Sequence, residues 1–170
     1  MYSRDLLVDA FDRIRGLVHA AVHDLDVDRL AAAPGTGANP IGWLVWHLTR
    51  IQDDHVAGAA GREQVYVAGS WYDRLGLGLD PADTGYGHGP GQVAQLRGVS
   101  AELLTGYHDA VHASTVAYLG ELTDADLDRV VDTRWDPPVT LGVRLVSVVS
   151  DDLQHVGQAA YVRGLLLPGD

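Results

Sequence analysis

The chain contains eight histidines and no cysteine, and all 12 of its basic side chains are arginine. That inventory already selects among chemistries. Without cysteine there is no thiolate metal ligand, no thiol nucleophile and no CxxC redox centre. Without lysine no protein amine can form a Schiff base. Imidazole and carboxylate remain, so the spacing of His and Asp carries the functional signal. His19/His23 and His108/His112 are i, i+4 pairs, which is ligand spacing on a helix. At about 100° per residue, however, both pairs turn away from the apolar stripes of their own segments, Leu7–Ile14–Ala21 and Leu96–Leu103–Ala110, and are expected to face solvent. His47 differs. It lies beside Leu44, Leu48 and Ile51 on an inward stripe, with Asp54 seven residues further along the same line and His55 also on the inner face. Near the C-terminus, Asp151 and His155 are at i, i+4, Gln158 extends the row, and Arg144 precedes it by two turns.

A polar row on an otherwise apolar helix is expensive unless its members satisfy one another. Two arrangements would do so. One is an internal ion-pair network, with Arg144 on Asp151 or Asp54 and His155 hydrogen-bonded. The other is a divalent metal gripped between facing helices by His47, Asp151 and His155. Two imidazoles and one carboxylate suit Zn²⁺ first, and Ni²⁺ or Fe²⁺ next, and leave a coordination position open to water or substrate. Asp54 and Gln158 would then orient the ligands.

The elements that must position these residues read as helices. Leu7, Phe11, Ile14, Val18, Ala21 and Leu25 recur at steps of three or four, predicting an amphipathic helix over about 3–26. Asn39 as N-cap and Pro40 in the first turn open a second helix, running to about Ala57. Residues 61–91 are glycine-rich and aperiodic, a long linker expected to cover the open end of the fold. A third helix is predicted over about 92–119 and a short helical turn over 124–129. Trp135-Asp-Pro-Pro138 breaks the chain before Thr140 caps a last helix, to about Leu166. This last helix is apolar nearly all round and is expected to lie deep. Four long helices with no convincing strands predict an all-α four-helix bundle with a long loop between the second and third helices.

Composition narrows the partners. The 170 residues suit one domain, spanning 1–170. A net charge of −11 would repel a phosphate backbone, which argues against nucleic acid. No apolar run approaches the roughly 20 residues of a membrane span. The N-terminus lacks a signal-peptide core, so the cytoplasm is the expected compartment.

The segments singled out resemble the DinB-like superfamily (DinB/YfiT) of metal-binding four-helix bundles. The second-helix element reads Asn39-Pro-Ile-Gly-Trp-Leu-Val-Trp-His47-Leu. The last-helix element reads Asp151-Asp-Leu-Gln-His155-Val-Gly157-Gln158, ending in Tyr161-Val-Arg163-Gly164. The Trp135-x-Pro137 turn is similar to family usage as well. Asp151 stands where the family carries the first histidine of an H-x-x-x-H-x-G-Q-like motif; a carboxylate there hardens the metal preference, with Asp152 or Asp54 as the alternative carboxylates. The resemblance implies a metal-dependent transferase that uses a low-molecular-weight thiol against an electrophilic small molecule, in detoxification or stress response. The lysine-free composition resembles that of actinobacterial proteins, which favours mycothiol as the cosubstrate. A maleylpyruvate isomerase, a thiol-independent metal hydrolase, a non-catalytic metal-binding stress protein and a purely structural protein are the competing readings. In the transferase reading Arg144 and Arg163 pair with anionic groups, Arg50 lies off the inner face, Tyr86 and Trp71 line the pocket, and His88 in the turn Gly87-His88-Gly89 is the acid or base. The resemblance also implies a possible homodimer.

Overall fold

The apolar stripes become four long helices in the computed structural model, which describes residues 2–167. They are α1 (Ser3–Val22), α3 (Ile41–Ala60), α7 (Ala101–Glu121) and α8 (Leu141–Leu166). Short helices α2 (Val27–Ala31), α4 (Val65–Ala68), α5 (Trp71–Leu75) and α6 (Pro90–Val93) lie in the connections. The residues Val130–Asp132 (β1) and Val139–Thr140 (β2) form a small antiparallel ladder just before α8. The fold is all-α apart from that ladder.

Local chemistry sets the ends. Asp26 accepts from the Arg29 amide and starts α2 as a separate element, so the first helix stops at Val22 rather than 26. Pro40, not Asn39, is the N-cap of α3, and Gly61 closes that helix in the left-handed conformation. The third long helix begins at Ala101 rather than near 92. The segment from Pro90 to Leu96 forms α6 and a 3₁₀ turn, Gly98 takes a positive φ, and the Ser100 side chain caps α7 through the Leu103 amide. Thr140 caps α8 through the Val143 amide.

In the bundle α1 lies beside α7 and α8, and α3 lies beside the same two helices. The pairs Thr49–His108 and Gln52–Thr115 advance together along α3 and α7, so these two helices run parallel. Parallel neighbours require the chain to travel back along the bundle, about 30 Å for 20 residues at 1.5 Å each. This return is the physical reason for the long 61–100 connection. His47 and His55 lie beside His155 and Arg144 in the reverse order, so α3 and α8 are antiparallel.

The core is one cluster fed by all four long helices, including Phe11, Ile14, Trp46, Leu48, Leu104, Leu119, Leu141 and Val148. Three expectations change here. The last helix is half-buried rather than deep, with Val143, Val146, Leu153 and Tyr161 exposed. Arg50 is fully buried instead of off the inner face. It stacks on Tyr66, donates to the Pro81 and Asp83 carbonyls, Gln64 Oε1 and Tyr107 Oη, and lies 3.6 Å from Asp53. Asp53 in turn accepts from the Val65 and Tyr66 amides and from Tyr107. This network straps the crossover to α3. His108 is buried too, not solvent-facing, because the inner stripe of α7 runs through Leu104, Tyr107, His108, Val111 and Thr115. Thr49 donates to the Val45 carbonyl, so His108 Nδ1–H donates to Thr49 Oγ1, while Nε2 has no partner. Among the described residues no helix is long and apolar enough to cross a membrane.

Burial pushes the His108 pKa down to about 3, so the folded state holds the ring neutral. Below about pH 6.5 the unfolded chain takes up a proton that the folded chain refuses. Stability from this group is therefore complete above that pH and is lost on acidification, at up to about 1.4 kcal/mol per pH unit. Urea unfolding at pH 7, 6 and 5 should show a shallower acid slope for His108→Met than for the wild type; equal slopes would contradict the assignment.

Candidate metal centre

His47 sits in the middle of α3, and Asp151 and His155 one turn apart on α8, at the seam where these two antiparallel helices pack most extensively. One ligand atom from each of the three lies within 4.8 Å of the others. His47 is 6% exposed, while Asp151 and His155 are half-buried, so the cluster is floored by the core and open on one side.

The imidazoles are oriented by what their other nitrogens do. His47 Nδ1 contacts the Thr84 carbonyl oxygen, which can only accept, so Nδ1 carries the hydrogen and Nε2 presents a lone pair. His155 Nδ1 likewise donates to Gln158 Oε1 at 2.9 Å. Trp43 stacks on the His47 ring at 4.6 Å, and the two imidazoles meet edge to face at 4.7 Å. Asp151 Oδ1 is 3.7 Å from His155 Nε2, too far for a hydrogen bond, and Asp151 Oδ2 is buried without a partner. Burial lowers the His47 pKa, favouring the neutral, ligating ring. Two lone pairs and a carboxylate thus converge with no proton donor between them. A divalent cation fits this donor set, and an orphaned buried carboxylate oxygen is what such an ion would satisfy.

The strap that holds Thr84 joins Arg50 and His88 to Asp83 and Gly85, two residues without sequence signal. Arg50 fixes the Pro81 and Asp83 carbonyls from below. Asp83 accepts from the Gly85 amide and from His88 Nε2–H, and His88 Nδ1 accepts from Trp43 Nε1–H at 3.1 Å. Gly85 has φ +93°, and a Cβ there would stand 2.8 Å from His47 Nδ1 and 3.0 Å from Trp46. Only glycine lets the strap approach the ligand this closely.

The other expected site residues distribute differently. Gln158 Oε1 accepts the His155 Nδ1 hydrogen, one turn along α8. Asp54 accepts from Gln64 and lies beside His55, without touching a ligand. Asp152 is fully buried in the core and outside the cluster. Arg144 pairs with neither Asp151 nor Asp54 but with Asp132 at 2.8 Å, alongside Arg134. Together with Asp54 and His55, Arg144 lines a polar groove of about 430 Å³ further along the same seam. Arg163 instead donates to the His23 carbonyl, tying α8 to the end of α1. Trp71 packs on Tyr107 under Arg74, away from the ligands. Tyr86 is 92% exposed. The His88 side chain is buried with both ring nitrogens engaged, which makes it a positioning residue for Trp43 rather than a free acid or base.

The geometry predicts one divalent cation per chain in protein purified without a histidine tag. His47→Ala and Asp151→Ala should abolish stoichiometric binding. Gln158→Leu and Gly85→Ala should weaken Zn²⁺ by about 10- to 100-fold in competition with a chelating dye. Occupancy far below one after repletion of the wild type would refute the site.

Known proteins agree with this architecture. The crystal structure of a conserved protein from Enterococcus faecalis is similar over 98% of each chain, at 28% identity and a TM-score of 0.90. No curated protein matches the chain. The pattern of the DinB superfamily matches residues 10–159, which span three metal-facing side chains, the strap and most of the bundle. The chain therefore belongs to the DinB superfamily.

Proposed function

We propose that this protein is a metal-dependent transferase that joins a low-molecular-weight thiol, of the mycothiol type, to an electrophilic small molecule. The observation that carries the reading is the convergence of His47, Asp151 and His155 with both Nδ1 hydrogens already committed elsewhere. When bound there, a divalent cation supplies Lewis acidity that lowers the pKa of a coordinated thiol or water. Three protein ligands leave room for such a group. The chain has no cysteine, so any sulfur chemistry must use a sulfur brought by the cosubstrate. The choice of mycothiol rests on the sequence resemblance and the lysine-free composition.

The residues divide the work. His47 is held rigidly by Trp43 and Thr84, so one ligand is preorganised before anything binds. Asp151 and His155 are half-buried, so theirs is the side from which a cosubstrate would approach an ion held by the three residues. Asp151 would add a hard, negatively charged oxygen ligand to a bound ion, which favours a divalent over a monovalent one. Arg144, in the adjoining groove, keeps donors beyond its bond to Asp132 and is the group placed to receive an anionic part of the cosubstrate.

The test is conjugation of a model electrophile by the Zn²⁺-loaded protein with mycothiol, bacillithiol, glutathione or no thiol, the thioether being identified by mass spectrometry. Mycothiol should give the fastest conjugation, and His47→Ala, checked for folding by circular dichroism, should slow it by roughly two orders of magnitude or more. Turnover of an ester or amide without thiol would favour metal-assisted hydrolysis instead. Metal binding with no product under any condition would favour a non-catalytic metal-binding protein.

A further inference from the structure

A second cavity, of about 270 Å³, lies at the end of the bundle between α2, the loop leading into α3, and the segment from His88 to Arg97. It holds none of the three metal-facing residues. Its walls are more apolar than polar, with Leu30, Pro40, Val93 and Leu96 prominent among them. Besides His88, its lining includes two polar side chains, Asn39 and Arg97. Neither makes a side-chain hydrogen bond or ion pair among the described residues. This contrasts with most of the other arginines, which are paired with carboxylates or carbonyl oxygens, as Arg13, Arg15, Arg50, Arg62, Arg144 and Arg163 are.

The charge pattern is equally specific. The chain carries 23 acidic residues and a net charge of −11, yet no Asp or Glu lines this cavity. The metal-side groove, by comparison, contains Asp54 and Asp132. An acid-free apolar pocket with one uncommitted guanidinium and one uncommitted carboxamide favours an anion of a single charge. A phosphate dianion would leave oxygens without donors against hydrocarbon, whereas a carboxylate is matched by the guanidinium fork, with Asn39 in the same lining as a further donor. The volume is near the lower end of the roughly 300–1,000 Å³ range of small-molecule sites, suited to a body of about ten to fifteen non-hydrogen atoms.

We infer that this cavity binds a small monocarboxylate with an apolar body, its carboxylate on Arg97 and Asn39 and its body against Leu30, Pro40, Val93 and Leu96. The site is independent of the thiol reading. It adjoins the metal centre's surroundings through His88, which belongs to the lining and whose Nδ1 receives the Trp43 hydrogen bond.

Calorimetric titration with 3-phenylpropanoate and its uncharged analogue 3-phenylpropan-1-ol tests this directly. The acid should bind the wild type at least tenfold more tightly than the alcohol. Arg97→Met, at an exposed position that the fold does not need, should erase that preference and leave alcohol binding unchanged. Ala94→Leu, which fills the cavity, should weaken both. Removing the metal should change neither. The inference is overturned by equal affinity for acid and alcohol, by acid binding that ignores Arg97→Met, by acid binding that vanishes with the metal, or by no acid binding up to about 10 mM.

Discussion

One contact organises this molecule: the His47 Nδ1–H donated to the Thr84 carbonyl. A carbonyl oxygen cannot donate, so this bond selects the tautomer and turns Nε2 toward Asp151 and His155. The contact exists only because the chain between α3 and α7 is pulled flat against α3. Arg50 does the pulling. Its guanidinium is withdrawn from water, so it must find partners, and the Pro81 and Asp83 carbonyls supply two of them. A charge buried beneath the strap thus sets the orientation of a ligand above it.

The bundle topology makes the strap necessary. Because α3 and α7 run parallel, the chain must return along the bundle before α7 can start. The return path is where the functional loop lies, and it is secured at intervals by Tyr66, Trp71, Leu75 and Leu77 in the core. The middle of the path, residues 83–88, crosses the His47 ring. Here Gly85 is required twice over, by its positive φ and by the absence of space for a Cβ. The structural and the chemical roles of the crossover are therefore the same set of contacts.

The core also holds groups whose polarity is not fully answered. Asp152 is buried with neither oxygen partnered, and burial raises its pKa well above the ordinary carboxylate value. It neighbours Asp151 in sequence but faces another way, since consecutive helical residues diverge by about 100°. His108 is similarly buried with one nitrogen unanswered. Desolvation disfavours the charged form of both groups, which couples the stability of the bundle to pH from its interior.

Periodicity alone determined the four long helices, because an apolar stripe of period 3.6 has one stable solution in water, burial against other stripes. Spacing also marked Asp151, His155 and Gln158, which lie on one face of one helix, and the inward turn of His47. The boundaries were less legible: the start of α7 depends on the positive φ of Gly98 and the Ser100 cap, short-range effects that a stripe does not record. Helical angles misplaced Arg50 and His108 because a stripe defined by hydrophobic residues excludes polar ones that are buried by partners from other elements. What only the tertiary structure decided is the set of contacts made by backbone. The Thr84 carbonyl, the Asp83 strap and the cavity beside Arg97 join residues tens of positions apart, and every residue carries the same carbonyl, so no residue type announces which one will meet His47.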